Sequence, residues 1–264
     1  METIQTVLTS VSHFKETLKS ELMYGLLNKY RSYTEEIDMP MELYNKTVIV
    51  FVHGRNGHET DFIPLINNIK SNNYVLQNCE LIDNEYYMTD VVVRLNGKEY
   101  VLRTAKLGET GYTTIDEDVA CLQKELEIYH NCSIILVGLS KGGVVVMRYV
   151  TKINDQRIKK VVTISSPLMG TEIASIFPTS SNVHKSLSYK NEICLDIDSD
   201  RKSINVPVYH IVPKWDHVII PTTSARYDDT PESHIYYYNG SDYGHCGIAY
   251  NDEVALIICE WCQY

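Results

Sequence analysis

Ser140, Asp216 and His245 form a side-chain set able to perform nucleophilic catalysis if the fold brings them together. A serine hydroxyl is a poor nucleophile until a base takes its proton. An imidazole is such a base, and a carboxylate beside it holds the working tautomer and stabilises the charged form. The serine has the strongest local context. An apolar run, Ile134 to Val137, reads as a buried strand, and it stops at Gly138-Leu139-Ser140-Lys141-Gly142. Val144 to Val150 is apolar enough for an inward-packed helix. Strand, G-x-S-x-G, helix is the setting of a nucleophile elbow, in which a strained turn lifts the hydroxyl above the sheet. Gly138 and Gly142 permit the close strand–helix approach, and the helix start aims its N–H groups at developing negative charge. An ordinary loop with a helix-capping serine would carry the same pentapeptide, so partners elsewhere decide between the two.

Those partners need a scaffold. Thr47 to His53 is a continuous apolar run suited to a central parallel strand, followed by the loop His53-Gly54-Arg55-Asn56-Gly57 and a helix over 61–71. Two glycines do not make the three-glycine dinucleotide loop. Val91 to Leu95, Asn96-Gly97 and Lys98 to Arg103 read as a hairpin whose second arm can also join the main sheet. Gly108 and Gly111 mark a loop, after which Thr114 is expected to cap a helix running to about His130. Asp116, Glu117 and Asp118 in its first turn suit the helix dipole and receive no catalytic role. Further strands are expected at 161–165, 207–212 and 235–238, and a last helix at 252–261. Asp216 follows the second of these strands and His245 the third. The polar stretch 171–206 reads as an insertion over the active edge with one or two short helices, a candidate lid. Residues 4–30 carry apolar side chains at helical spacing, and 1–46 is taken as a helical segment packed on a main domain of 47–264. Strands alternating with helices predict an α/β fold with a mostly parallel, doubly wound sheet.

A chain of 264 residues with 44% hydrophobic and 22% charged residues is an ordinary globular composition. The net charge of −10 argues against nucleic acid or an anionic membrane surface as a general partner. No run reaches membrane-spanning length and no secretory leader is seen, so a soluble cytoplasmic protein is expected, with peripheral membrane contact left open. Seven cysteines show no paired metal-ligand spacing, and Cys259-x-x-Cys262 stands alone. Reduced thiols, no metal and no cofactor are the expectation. Nothing fixes an oligomeric state.

Taken together, the strand ending His53-Gly54, the Gly138–Gly143 elbow, Ser166-Pro167-Leu168-Met169-Gly170-Thr171, the Asp216–Ile219 segment and Gly244-His245 resemble the α/β-hydrolase superfamily. Ser, then Asp, then His is that fold's chain order. The chain is similar to bacterial triacylglycerol lipases, palmitoyl-protein thioesterases and GPI inositol-deacylase-type domains. The likeness runs from about Thr47 onward, and the strands that usually precede the His-Gly strand are missing from this pattern. The family often has His before the nucleophile and Met or Gln after it, where this chain has Leu139 and Lys141.

The resemblance implies a lipase- or esterase-like serine hydrolase acting on a small acyl ester or lipid through an acyl-enzyme on Ser140. His245 is the expected base, Asp216 its orienter, and the backbone N–H groups of Lys141 and Arg55 the oxyanion donors. A thioesterase and a non-catalytic binding protein of the same fold are the alternatives. Asp242 and Asp228 are the spare acids, and His217 and His234 the spare bases. His53 is expected to shape its loop, and His58, His130, His184 and His210 to be structural or superficial. The Lys141 side chain is expected to be exposed at the pocket rim rather than touching an acidic substrate group.

Overall fold

The long apolar runs become the inner strands of one sheet. The computed structural model describes residues 46–71, 74–75, 81–82, 85–86, 91–108, 113–176, 182–240 and 244–263. The expected helix at 4–30 and Asp242 lie outside them. In chain order the elements are β1 (Thr47–Val52), α1 (Ile63–Ser71), β2 (Tyr74–Val75), β3 (Leu81–Ile82), β4 (Glu85–Tyr86), β5 (Val91–Leu95), β6 (Lys98–Thr104), α2 (Ile115–Leu126), β7 (Ser133–Leu139), α3 (Lys141–Lys152), β8 (Ile158–Ile164), α4 (Glu172–Ile176), α5 (Asn182–Leu187), α6 (Glu192–Asp200), β9 (Val208–Pro213), β10 (Ile235–Tyr238), α7 (Gly244–Gly247) and α8 (Asp252–Gln263).

The main sheet has the order β10-β9-β8-β7-β1-β6-β5-β2. From β10 to β6 every neighbouring pair is parallel, whereas β5 runs antiparallel to β6 and β2 to β5. Beyond β6 the sheet is extended by β5, its hairpin partner, and then by the separate short strand β2. The hairpin turn, Asn96-Gly97, has both central residues at positive φ, 47° and 78°. That is the turn geometry whose twist matches a hairpin, and Asn-Gly tolerates it.

Period-two alternation distributes each central strand between two cores. Val48, Val50 and Val52 of β1 and Ile134 and Leu136 of β7 pack with Val119, Leu122 and Leu126 of α2 and Val144 and Met147 of α3. Ile49, Phe51, Ile135 and Val137 face the other way, onto Leu65 and Ile69 of α1 and Val254 and Ile258 of α8. Each such aliphatic side chain contributes about 1.5–3 kcal/mol by leaving water. Helix caps typically add only about 1 kcal/mol each, so packing dominates and capping sets boundaries. The cap at α2 is a reciprocal box: Thr114 Oγ1 accepts from Glu117 N at 3.2 Å, and Thr114 N donates to Glu117 Oε2 at 2.6 Å.

Among its described residues the stretch 171–206 contains three short α-helices, α4 to α6, where one or two were expected. Val183, Leu187 and Ile197 are buried in the α2–α3 side of the core. Three helices of five, six and nine residues are too short for a hydrophobic period to register in the sequence.

His210, on β9, is fully buried, its Nδ1 2.7 Å from Thr163 Oγ1. Burial, reinforced by the positive charges of Arg201, His234 and Arg226, pulls its pKa from 6.5 down to about 3. The unfolded chain takes up this proton near 6.5 and the folded chain refuses it until about 3. Stability from this group is therefore complete above 6.5 and is withdrawn as pH falls below it. The loss approaches about 1.4 kcal/mol per pH unit. Urea unfolding at pH 6.5 and 5 should show wild type losing about 2 kcal/mol more than His210→Gln. Equal losses in the two proteins would show that His210 does not titrate on unfolding.

Candidate active site

Strand register brings the site to one sheet edge. Val52 of β1 pairs with Gly138 of β7, and Leu139 of β7 with Ile164 of β8. The turns after β1, β7 and β8 therefore leave the sheet side by side, at the carboxyl ends where open α/β sheets hold ligands. Ser140 lies between β7 and α3 at φ 54°, ψ −123°, a conformation that costs a non-glycine residue about 1–3 kcal/mol. The turn is held by its neighbours: Ser140 N donates to Ile164 O at 2.9 Å, and Gly143 N to Ser140 O at 3.0 Å. A Cβ on Gly142 would lie 2.1 Å from Val52 O, so only glycine lets α3 start this close to β1. A Cβ on Gly54 would meet Ser140 Cβ at 3.0 Å, which sets the His53-Gly54 turn directly against the serine.

Asp216 and His245 arrive from the turns after β9 and β10. Asp216 Oδ1 accepts from Val218 N at 2.8 Å and Ile219 N at 3.0 Å, which fixes the carboxylate. Its Oδ2 lies 2.7 Å from His245 Nδ1, and His245 Nε2 lies 2.7 Å from Ser140 Oγ. Asp216 and His245 are both buried. Thr171 ties the Asp216 turn to the segment beginning at α4: its Oγ1 donates to Val218 O at 2.7 Å and accepts from Ile220 N at 3.0 Å.

Two of the spare residues, Asp228 and His234, have other partners. Asp228 is fully exposed, 3.7 Å from Arg226. His234 stacks on Tyr209 and faces Val208 O. His53 is buried, its Nδ1 3.2 Å from Gly54 O, and burial lowers its pKa. Arg55 is exposed. Cys259 and Cys262 are buried free thiols in α8. Among the described residues no His, Cys, Asp and Glu group of metal-site size occurs, and no helix is long and apolar enough to cross a membrane.

Lys141 corrects the expectation of an exposed rim side chain. It is 1% exposed. Its Nζ lies 2.7 Å from Asp118 Oδ2 and donates to Thr113 O at 2.7 Å. Burial pulls the ammonium below its ordinary pKa, and the Asp118 carboxylate opposes that shift. Asp118 and Thr113 are the site-adjacent residues that sequence reasoning missed. A signal existed, because Asp118 falls within the Ile115, Val119, Leu122, Leu126 stripe that α2 buries.

A family model described as "PGAP1-like alpha/beta domain" matches residues 44–193. The chain belongs to this family. The matched stretch carries Ser140 and ends before Asp216 and His245. No curated protein matches the sequence. Among solved structures, the product of the lin2722 gene of Listeria innocua is similar at 13% identity, covering 81% of this chain and 92% of that one, with a TM-score of 0.58. Lipase BlEst2 of Bacillus licheniformis, in mature form, is similar at 13% identity, covering 86% and 95%, with a TM-score of 0.55. Est1E of Butyrivibrio proteoclasticus, solved with ferulic acid bound, is similar at 14% identity, covering 86% and 92%, with a TM-score of 0.55. At these identities the likeness is one of fold, and the fold of this PGAP1-like domain is that of the α/β-hydrolases.

Proposed function

We propose that this PGAP1-like domain is a serine hydrolase that cleaves a carboxylic ester through an acyl-enzyme on Ser140. The observation that carries the reading is the His245 imidazole, 2.7 Å from Ser140 Oγ on one side and 2.7 Å from Asp216 Oδ2 on the other. In the first step the Ser140 hydroxyl gives its proton to His245 Nε2 as its oxygen bonds to the ester carbonyl carbon. The carbonyl oxygen takes the negative charge. The C–O bond to the alcohol then breaks, and His245 protonates the departing oxygen. A water molecule repeats the sequence on the acyl-enzyme and releases the acid. Asp216 stays ionised throughout and stabilises the imidazolium.

The oxyanion donors are the backbone N–H groups of Lys141 and Arg55. Lys141 is the first residue of α3, where N–H groups point out of the helix start and the dipole is positive. Gly54 abuts Ser140, which supports the following peptide N–H as the second donor. Loss of one such donor typically costs ~100–1,000-fold in rate. The substrate class is an acyl ester or a lipid, in keeping with the names of the lipase and of the ferulic-acid-bound protein that share the fold. Thr171 ties the start of the 171–206 stretch to the Asp216 turn, and Val183, Leu187 and Ile197 are seated in the core, which supports reading the described part of the stretch as a wall of the site.

The test is a fluorophosphonate probe together with acyl esters and thioesters of graded chain length. The expected result is covalent labelling that maps to Ser140 and turnover of at least one ester. Folded wild-type protein that neither labels nor turns over any acyl compound would overturn the reading.

A further inference from the structure

We infer that the buried Lys141–Asp118 ion pair is a positioning device that holds the oxyanion donor in place. The inference rests on the serine-hydrolase reading above. Lys141 has two ends with separate tasks. Its N–H opens α3 beside Ser140, and its ammonium lies in the interface between the starts of α3 and α2. There it meets Asp118 Oδ2 at 2.7 Å and Thr113 O at 2.7 Å, while Thr113 Oγ1 donates to Asp118 Oδ1 at 2.6 Å. The three residues form a closed polar cluster in which ammonium and carboxylate are both essentially without solvent exposure.

An ion pair this deep is not explained by stability. Removing both charges from water is costly, and well-packed apolar residues of similar volume often serve a fold as well or better. Direction is what the pair supplies. A lysine side chain bound at both ends cannot rotate about the elbow, so its own backbone N–H is fixed relative to Ser140. α2 is tied to α3 a second time through Asp116, which accepts from Arg148 Nε at 3.0 Å and Lys152 Nζ at 3.2 Å. Those contacts sit on the more exposed part of the interface, whose docking rests on the apolar packing of the two helices. Asp118 is left with Lys141, at the end of α3 that meets the nucleophile. Lys141 and Asp118 side chains touch no reacting atom, so both are positioning residues.

The test separates position from fold. Lys141→Met leaves a bare buried carboxylate, so the double variant Lys141→Met/Asp118→Leu is made beside it to restore an uncharged, packed interface. In each folded variant kcat should fall roughly 10- to 100-fold with KM within about threefold, because a donor displaced by about 1 Å fails mainly in the transition state. Asp118→Asn keeps the shape and an acceptor for the ammonium. It leaves that ammonium without a counter-charge and so should lower the thermal midpoint, but in the folded protein it should lose less, about 3- to 10-fold in kcat, between wild type and the apolar variants. Lys141→Arg, which can still pair with Asp118, should recover part of the loss at unchanged thermal midpoint. Folded variants with wild-type kcat, Asp118→Asn included, would overturn the inference. Wild-type enzyme that fails to label or turn over would instead overturn the hydrolase reading.

Discussion

Ser140→Ala is expected to abolish probe labelling and to lower ester turnover by roughly 10⁵- to 10⁶-fold, by analogy with nucleophile deletions in serine proteases. The hydroxyl is the only atom removed, and its partner in the structure is His245 Nε2. No core contact goes with it, so the thermal midpoint should stay near wild type. Backbone strain gives a second, independent readout. At φ 54°, ψ −123° alanine is strained as serine is, whereas glycine is not. Ser140→Gly should therefore be equally inactive and at least as stable as Ser140→Ala. Labelling of folded Ser140→Ala at another serine would remove Ser140 from the role of nucleophile.

The second large effect concerns Asp216 and His245 as one unit. In Asp216→Asn the side-chain oxygen can still accept from Val218 N and Ile219 N, so the turn should survive. The amide NH₂ then faces His245 Nδ1 and favours the tautomer protonated on Nε2. That nitrogen can no longer accept the Ser140 proton, and kcat should fall about 10⁴-fold with KM little changed. His245→Ala should cost at least as much. The double variant should be scarcely worse than His245→Ala, since members of a cooperating set are not additive. Single-turnover acylation of the three folded variants is the measurement. Multiplying defects would show two residues acting separately, and near-wild-type acylation in Asp216→Asn would release Asp216 from the set.

Strand positions were legible in the sequence where buried parallel strands are apolar runs: the expected strands at 47–53, 134–137 and 161–165 fall on the inner strands Thr47–Val52, Ser133–Leu139 and Ile158–Ile164, the last beginning earlier than expected because Lys159 and Lys160 interrupt its apolar run. The hairpin was legible from Asn96-Gly97. Ser140, Asp216 and His245 were nameable because each follows a strand, and parallel strands end at one edge. Two features were not legible. β2 pairs beyond β5 at the border of the sheet, and a strand of two residues is too short for a hydrophobic pattern to register. The buried state of Lys141 depends on Asp118, which precedes it by a whole strand. A helix-start acid normally serves its own helix, as Glu117 does here through Thr114. Only the place of Asp118 within an apolar stripe distinguishes it from Glu117.

On the proposed hydrolase reading, the parallel order of the sheet also sets when the chemistry could begin. β10 forms one border of the sheet, and His245 lies beyond it in sequence, 105 residues after the serine it faces. A chain made from its N-terminus completes β1, β7 and the elbow while the base is still unmade. Ser140 is then an ordinary alcohol on a partly built sheet. Contacts this distant in sequence close late in folding as well, because the loop between them must be ordered first. Reactivity thus serves as a built-in signal of completion. On that reading a nascent or half-folded chain should not label at Ser140, and covalent labelling of Ser140 during refolding would time the docking of the final strand and helix.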